Sequence, residues 1–546
     1  MNTKTSGVLL IVLDGFGIAP SGKGNAISLA KHKNIQTLEQ MYPHTTLSAS
    51  GESVGLPAHE AGNTEVGHIN LGAGRIIYQS LPRINMSIAD GSFFENAEFV
   101  AVINHVKKHK SNLHVMGLLG NGTVHASNDH LYALLQFFRE QSVNNIFIHS
   151  ITDGRDSPPQ SAETYLKQLQ NRIERLNIGT IASIMGRYYA MDRDLRWDRV
   201  EKAYLCLTQG KGQKAESWKT ALEVSYKNGK SDEFILPTNI TRNGKPVALV
   251  QPNDGIIFYN YRIDRPRELT KAFVLDDFRG GANKVSYDPY AIKYYKKHEV
   301  EQKPLSDPFN RGKKLDNLYF VTMTEYDKAI PAHIAYPPRL VRNSFGEVIA
   351  HHDIRQLRLA ESEKERFVTF YFNGRREKPF IHEDRLIEPS PKVPTYDKKP
   401  EMSAYKLLDV LTDKLKKQNY KFILCNFANP DMVGHTGNLK AGIQAIQVID
   451  DIIGKLIPIV LQHNYVVFIT ADHGNVEEML DSKTGKALTE HTANPVPLFI
   501  ISKELKGKSI VLQRGILADV APTMLSFLNI PKPDEMTGRN LIEELM

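Results

Sequence analysis

The residues best suited to chemistry in this chain lie near its two ends. Asp14 closes the apolar run Val8–Leu13, and Asp431, His435, the adjacent pair Asp472-His473 and His491 stand close to the C-terminus. Carboxylates and imidazoles where buried strands end are what a pair of divalent cations needs as ligands. Any one of them alone reads as a cap or a satisfied surface histidine. The full set, with no cysteine nearby, points to manganese, zinc or another borderline-to-hard divalent ion and argues against a sulfur site. If both ends build one site, the sequence between them is largely an insertion.

A paired-metal site needs a nucleophile, and Gly62-Asn63-Thr64-Glu65-Val66-Gly67-His68 offers one. Its glycines allow a tight turn and close backbone approach. At a helix N-terminus, Thr64 would place its hydroxyl beside the metals while backbone N–H groups hold phosphate oxygens. Equally, Thr64 could cap a helix and do nothing more. The residues alone leave both readings open.

Four strand-like runs in the middle of the chain each lead into a polar cluster. Leu113–Leu119 leads to His125, and Asn145–Ile151 to Asp153-Gly154-Arg155-Asp156. Ile178–Met185 leads to Arg187 and on to Arg193-Asp194, and Gly255–Tyr261 to Arg262 and Arg265. Helical stretches follow over His130–Gln141, Ala162–Leu176, Arg199–Leu207 and Arg265–Asp276. Ligands bind outside the carboxyl ends of strands in open parallel sheets. Five arginines at such ends suit an anionic ligand, because guanidinium forks match phosphate and carboxylate oxygens. Lys364 is less telling, since Glu361, Glu363 and Glu365 offer surface ion-pair partners.

Alternation of strand-like and helical segments marks an α/β protein. At 546 residues there is core enough for two domains. The expected arrangement is one α/β domain from 1–79 plus 340–546, carrying the metal candidates, with a second α/β domain inserted over 80–339. The crossings fall near Tyr78–Pro82 and Pro337–Asn343, and the simplest arrangement has the two polar sheet edges facing across a cleft. Gly280–Lys314, rich in Lys, Tyr, Pro and Asp, reads as a surface excursion.

Composition narrows the function classes. No run approaches the roughly 18 apolar residues of a membrane span. The N-terminal apolar run enters Asp14-Gly15-Phe16-Gly17, so it reads as a buried first strand, not a secretory signal. Cys206 and Cys425 lie in apolar segments, which suits buried thiols in a reducing cytosol. The net charge of +7 is mostly scattered lysine without interleaved aromatics, so it indicates a small acidic substrate and no nucleic-acid partner.

These residues resemble cofactor-independent phosphoglycerate mutases, of the alkaline phosphatase superfamily. The matching stretches are LDGFG (13–17), GNTEVGHINLGAGR (62–75), DGRDSPP (153–159), GRYYAMDRDLRW (186–197), YRIDRPRE (261–268), AESEKERFVTF (360–370), PSPKVPTYDKKPEMSA (389–404), NPDMVGHTG (429–437), TADHGN (470–475) and EHTANPVP (490–497). They run in family order across nearly the whole chain. The resemblance implies two divalent metals, usually manganese. Asp431, His435 and His491 would hold one; Asp14, Asp472, His473 and the hydroxyl of residue 64 would hold the other. It implies that His125, Arg155, Asp156, Arg187, Arg193, Arg262 and Arg265 bind the glycerate part and that Lys364 bridges the phosphate. The implied reaction interconverts 2-phosphoglycerate and 3-phosphoglycerate in glycolysis and gluconeogenesis, without 2,3-bisphosphoglycerate, in a cytoplasmic monomer. Asp156 would move protons, and domain closure would keep water from the phosphoenzyme.

The sequence departs from the family in two places. The family's usual nucleophile is serine, and here it is Thr64, whose extra methyl crowds the attack and restricts χ1. A further histidine, often found two residues beyond His125, is replaced by Ser127. A phosphatase or phosphopentomutase on the same core is the rival reading, the latter also using threonine, and the arginine set argues against it. His435, His473 and His491 must be neutral to ligate a metal. With a reference histidine pKa near 6.5, activity at limiting metal should therefore fall below about pH 7. A rate flat from roughly pH 5.5 to 8 would refute this.

Overall fold

A computed structural model describes residues 5–284, 306–508 and 510–542. The chain divides into two compact units, one of residues 1–79 and 339–546, the other of residues 80–338. The second crossing thus falls between Pro338 and Arg339, after the proline pair, and not between 339 and 340. Of the expected excursion, 285–305 lies outside the described residues. Past it, Arg311 is buried and donates to the carbonyls of Ala272, Leu275 and Asp276, satisfying the open end of helix Arg267–Val274.

The first unit is built on a sheet of eight described strands. Their order is Glu383–Glu388, Gln356–Glu361, Phe422–Phe427, Gly7–Leu13, Tyr465–Thr470, Val496–Ile501, His44–Ser48 and Gly515–Ile516. The first five are mutually parallel. Strand Gly7–Leu13 is buried along its whole length, as a central parallel strand covered on both faces must be. Its neighbours come from the far end of the chain: Leu13 pairs with Phe427 and Val12 with Thr470. Four adjacent parallel strands therefore end side by side, just before Lys364, Asp431, Asp14 and Asp472.

In the second unit the order is His333–Tyr336, Tyr319–Thr324, Gly255–Phe258, Leu113–Leu119, Ile146–Thr152, Thr180–Gly186, Thr238–Arg242 and Gln213–Ala215, with Lys245–Pro246 pairing the seventh. Chain order runs outward from Leu113–Leu119 through Ile146–Thr152 to Thr180–Gly186, while Gly255–Phe258 pairs its other side. That reversal is a switch point, where loops part and leave a crevice. Helix ends differ from the sequence reading by a few residues for local reasons. Ser127 accepts from Asp129 N and starts its helix at Asn128, ahead of His130. Arg265 and Pro266 precede their helix, which begins at Arg267.

Helix Thr64–Ala73 lies against the backbone of the metal-candidate strands, and its glycines make room. A Cβ on Gly67 would meet the Asp472 carbonyl oxygen at 2.4 Å and Asp472 Cβ at 2.6 Å. Gly67→Ala should therefore destabilise the protein by about 1–3 kcal/mol despite alanine's better helix propensity. Thermal melting reads this, and a variant as stable as the parent would refute it.

Candidate metal centre and anion site

In the first unit, three histidines aim one nitrogen each at a common centre. The Nδ1 atoms of His435, His473 and His491 lie 2.7, 3.1 and 3.0 Å from the carbonyl oxygens of Thr489, Gly474 and Gly62. A carbonyl only accepts, so each Nδ1 carries a proton and each Nε2 is the nitrogen left to bind a cation once it is unprotonated. His435 Nε2 and His491 Nε2 are 3.0 Å apart, and each is 3.2 Å from Asp431 Oδ1. Asp14, Asp472 and His473 form a second group whose ligand atoms lie within 4.8 Å of one another. Imidazole nitrogens and carboxylate oxygens converging in two such groups are donor sets that fit two divalent ions.

Thr64 stands beside the second group. Asn63, not Thr64, caps the helix, accepting from Val66 N at 3.1 Å. This leaves the Thr64 hydroxyl free for other partners, and Oγ1 lies 3.0 Å from His473 Nε2 and 3.4 Å from Asp14 Oδ1. Lys364 is no surface lysine. It is buried, and Nζ donates to Asp14 Oδ1 and Asp431 Oδ2, each at 2.6 Å, and to Thr64 Oγ1 at 3.1 Å. The nearby glutamates turn elsewhere: Glu361 accepts from Ser403 N, and Glu363 from the Tyr396 hydroxyl.

Electrostatics in this centre follow from burying three carboxylates together. Burial raises the Asp431 pKa, but Lys364, His435 and His491 outweigh it and hold the group well below the usual range. Asp472 is likewise held low, by His473, His68 and Lys364 against burial. Burial pulls His473 down, yet Asp472, Asp14 and Asp431 lift it to about 10. Lys364 is raised in the same way by Asp14, Asp431 and Asp472.

The sequence reading missed the residues that brace these ligands. His68, one turn after Thr64, has Nδ1 2.9 Å from the Thr64 carbonyl and 3.2 Å from Asp472 Oδ2. Asn426 donates to Asp14 Oδ2 at 2.7 Å, and Asn475 to Asp431 Oδ1 at 3.0 Å. The buried Glu477 carboxylate accepts from Gly17 N, Asn475 N and the Thr492 hydroxyl. The one clue was local: His68 lies four residues from Thr64, on the same helix face.

In the second unit, the arginine candidates gather at the switch point and at the strand ends beside it. Arg187 is buried, and its NH1 donates to Asp153 Oδ1 at 2.6 Å and Asp156 Oδ2 at 2.5 Å. Burial lowers its pKa, but those two carboxylates more than restore it. Arg265 donates to the Met191 carbonyl and its pKa is lowered, by burial and then by the charges of Arg187 and Arg193. Arg155, Arg193 and Arg262 are about half exposed. Such crowding of like charge calls for an anion. His125 is buried beside them, and the Asp156 carboxyl, raised by burial, is brought lower than usual by Arg187 and His125. Asp153 and Asp264, to which the sequence reading gave no role, are both integral to the cluster. Asp153 accepts from Arg187, Ser157 Oγ and the N–H groups of Arg155 and Asp156, fixing the turn that carries the last two.

Comparison with known proteins bears on the chain as a whole. The family model for the BPG-independent PGAM N-terminus matches residues 84–328, and that for type I phosphodiesterase / nucleotide pyrophosphatase matches 297–494. A 2,3-bisphosphoglycerate-independent phosphoglycerate mutase of Acetivibrio thermocellus is 48% identical over 536 residues, covering 98% of this chain and 99% of the relative. The chain belongs to this mutase family. Another member, from Clostridium tetani, is 46% identical over 544 residues and covers all of both chains. The crystal structure of Leishmania mexicana phosphoglycerate mutase at low cobalt concentration is similar, with 27% identity, a TM-score of 0.58 and 98% of each chain covered. Membership makes the chain an enzyme of a divalent-metal-binding family. No helix among the described residues is long and apolar enough to cross a membrane.

A histidine raised to about 10 is protonated at neutral pH, whereas a ligand imidazole must be neutral. Metal entry into the metal-free protein at pH 7.5 should therefore expel about one proton or more, and affinity should fall as pH falls. Calorimetric titration with manganese in buffers of different ionisation enthalpy reads the proton count. Heats independent of buffer would contradict it.

Proposed function

We propose that this protein interconverts 2-phosphoglycerate and 3-phosphoglycerate without 2,3-bisphosphoglycerate, passing the phosphoryl group through Thr64. The observation that carries the reading is the placement of the Thr64 hydroxyl at a helix N-terminus, within 3.0–3.4 Å of His473, Lys364 and Asp14. Asp431, His435 and His491 would hold one divalent ion, and Asp14, Asp472, His473 and Thr64 the other, with manganese the proposed metal. When bound, the ions lower the pKa of the hydroxyl and offset charge on the transferring phosphoryl.

The chain's own groups do the rest. Thr64 Oγ attacks phosphorus as the oxyanion, and the bond from phosphorus to the glycerate oxygen breaks, leaving that oxygen as an alkoxide. Arg155, Arg187, Arg193, Arg262 and Arg265, with His125, hold the glycerate through its charges while it turns. Asp156 then takes the proton from the other hydroxyl and passes it to that first oxygen, and the oxygen so freed attacks the phosphothreonine and restores the Thr64 oxyanion. Lys364, an ammonium already directed at Thr64 Oγ1, stabilises the phosphoryl oxygens throughout. The γ-methyl of Thr64 leaves this chemistry intact, since the attacking atom is unchanged. We place the enzyme in the cytoplasm as a monomer.

Manganese-supplemented assays without added 2,3-bisphosphoglycerate test the reading. The parent should turn over both phosphoglycerates, Thr64→Ala should lose at least about 10³-fold in kcat, and Thr64→Ser should remain active. Mass spectrometry after trapping with substrate should find phosphate on Thr64. An active enzyme without it, or turnover of ribose phosphates in place of phosphoglycerates, would overturn the proposal.

A further inference from the structure

His125 lies between two carboxylates. Asp156 Oδ2 is 3.7 Å from its Nε2, and Asp264 Oδ1 is 3.6 Å from its Nδ1. Both His125 Nδ1 and Asp264 Oδ1 are buried, and neither has a hydrogen bond. Two orphaned polar atoms of complementary type, facing one another in a buried site, are costly unless they are used.

The backbone holds them there. The N–H groups of Tyr261 and Arg262 donate to the His125 carbonyl at 2.9 and 3.3 Å, and the Tyr261 hydroxyl donates to the Thr123 carbonyl. The loop after strand Gly255–Phe258 is thus fastened to the loop after Leu113–Leu119. Asp264 is held in turn: Arg193 NH1 donates to Oδ2 at 2.8 Å, and Arg262 Nε lies 3.2 Å from Oδ1 without forming a hydrogen bond. A closure of a few tenths of an ångström, about what separates 3.6 Å from a hydrogen bond, joins His125 to Asp264.

The charges facing the imidazole come from three segments: Asp264 and Arg262 from one loop, Asp156 from a second and Arg187 from a third. Burial and then Arg187 push His125 down to about 4, so at neutral pH it has one N–H and one lone pair. The N–H goes to whichever carboxylate oxygen is open to it. Asp156 Oδ2 already accepts from Arg187 at 2.5 Å, whereas Asp264 Oδ1 accepts nothing.

We propose that Asp264 is a positioning residue for the mutase reaction: it fixes His125 with the proton on Nδ1, leaving Nε2 as the acceptor that faces Asp156. Each time Asp156 takes a proton from a glycerate hydroxyl, its new O–H donates a hydrogen bond to His125 Nε2. The same proton then passes to the other glycerate oxygen, and the imidazole finishes as it began. A wrong tautomer would turn an N–H toward a group that must itself become a donor. This assignment rests on the roles proposed above for His125 and Asp156.

A double-mutant cycle on the full-length, manganese-saturated enzyme tests it. Asp264→Asn should lower kcat at least about tenfold with little change in KM. In a His125→Asn background, where there is no tautomer to fix, the same substitution should change kcat by less than about twofold. Asp264→Ser repeats the cycle should melting show that Asp264→Asn is unfolded. Effects that multiply, or an Asp264→Asn enzyme with parental kcat, would overturn the assignment while leaving the mutase reading intact. A parent inactive on phosphoglycerates would instead overturn the reading on which it rests.

Discussion

Three carboxylates buried in one cluster cannot all stay ionised without positive charge among them, and the first unit is organised around that constraint. Asp14, Asp431 and Asp472 are almost fully withdrawn from water. Burial alone would protonate such groups. Instead, Asp431 and Asp472 are held in the charged form by Lys364 and the surrounding histidines. Lys364 bridges two of the three with short hydrogen bonds, so the cluster has a resident cation even as a bare protein. Divalent ions would add to a site whose geometry is already fixed by backbone: each candidate ligand histidine is held through Nδ1 to a carbonyl, and each carboxylate sits at or just past a strand end.

The second unit poses the inverse problem. Arg187 is buried and Arg265 half-buried beside three more exposed arginines, and Asp153, Asp156 and Asp264 keep the cluster from repelling itself apart. Each of these aspartates leaves arginine N–H groups available for an anion. The cluster thus reads as partly neutralised, with a residual positive charge for a small acidic ligand. Buried ion pairs of this kind add little net stability. Their use here is to hold guanidinium groups at fixed angles before a ligand arrives.

Much of this was legible in the sequence, because strand termini announce themselves. An apolar run followed at once by Asp or Arg marks both a buried strand and the polar residue it delivers, and the ends of Leu113–Leu119 and Ala162–Leu176 fall where the pattern places them. The metal candidates were likewise visible as residue types. Local charge context hid Lys364 from a reading of the residues alone. Lys364, flanked by glutamates in sequence, looks like a solvated lysine, yet those glutamates turn to Ser403 and Tyr396 while the lysine turns inward. Asp264 was overlooked for a related reason: among arginines, one aspartate looks like charge balance.

By itself, the sequence determined which residue types end which strands, and the order of its motifs determined the family, since both are written along the chain. It could not determine which strands lie side by side. Only the tertiary structure decided that Gly7–Leu13 inserts between Phe422–Phe427 and Tyr465–Thr470, so that residues 14, 431 and 472 share one centre. Only it decided that Asp264 faces His125. The physical reason is the same in both cases. Strand pairing and side-chain facing are set by long-range burial and hydrogen bonding, which depend on distances in space that no local pattern encodes.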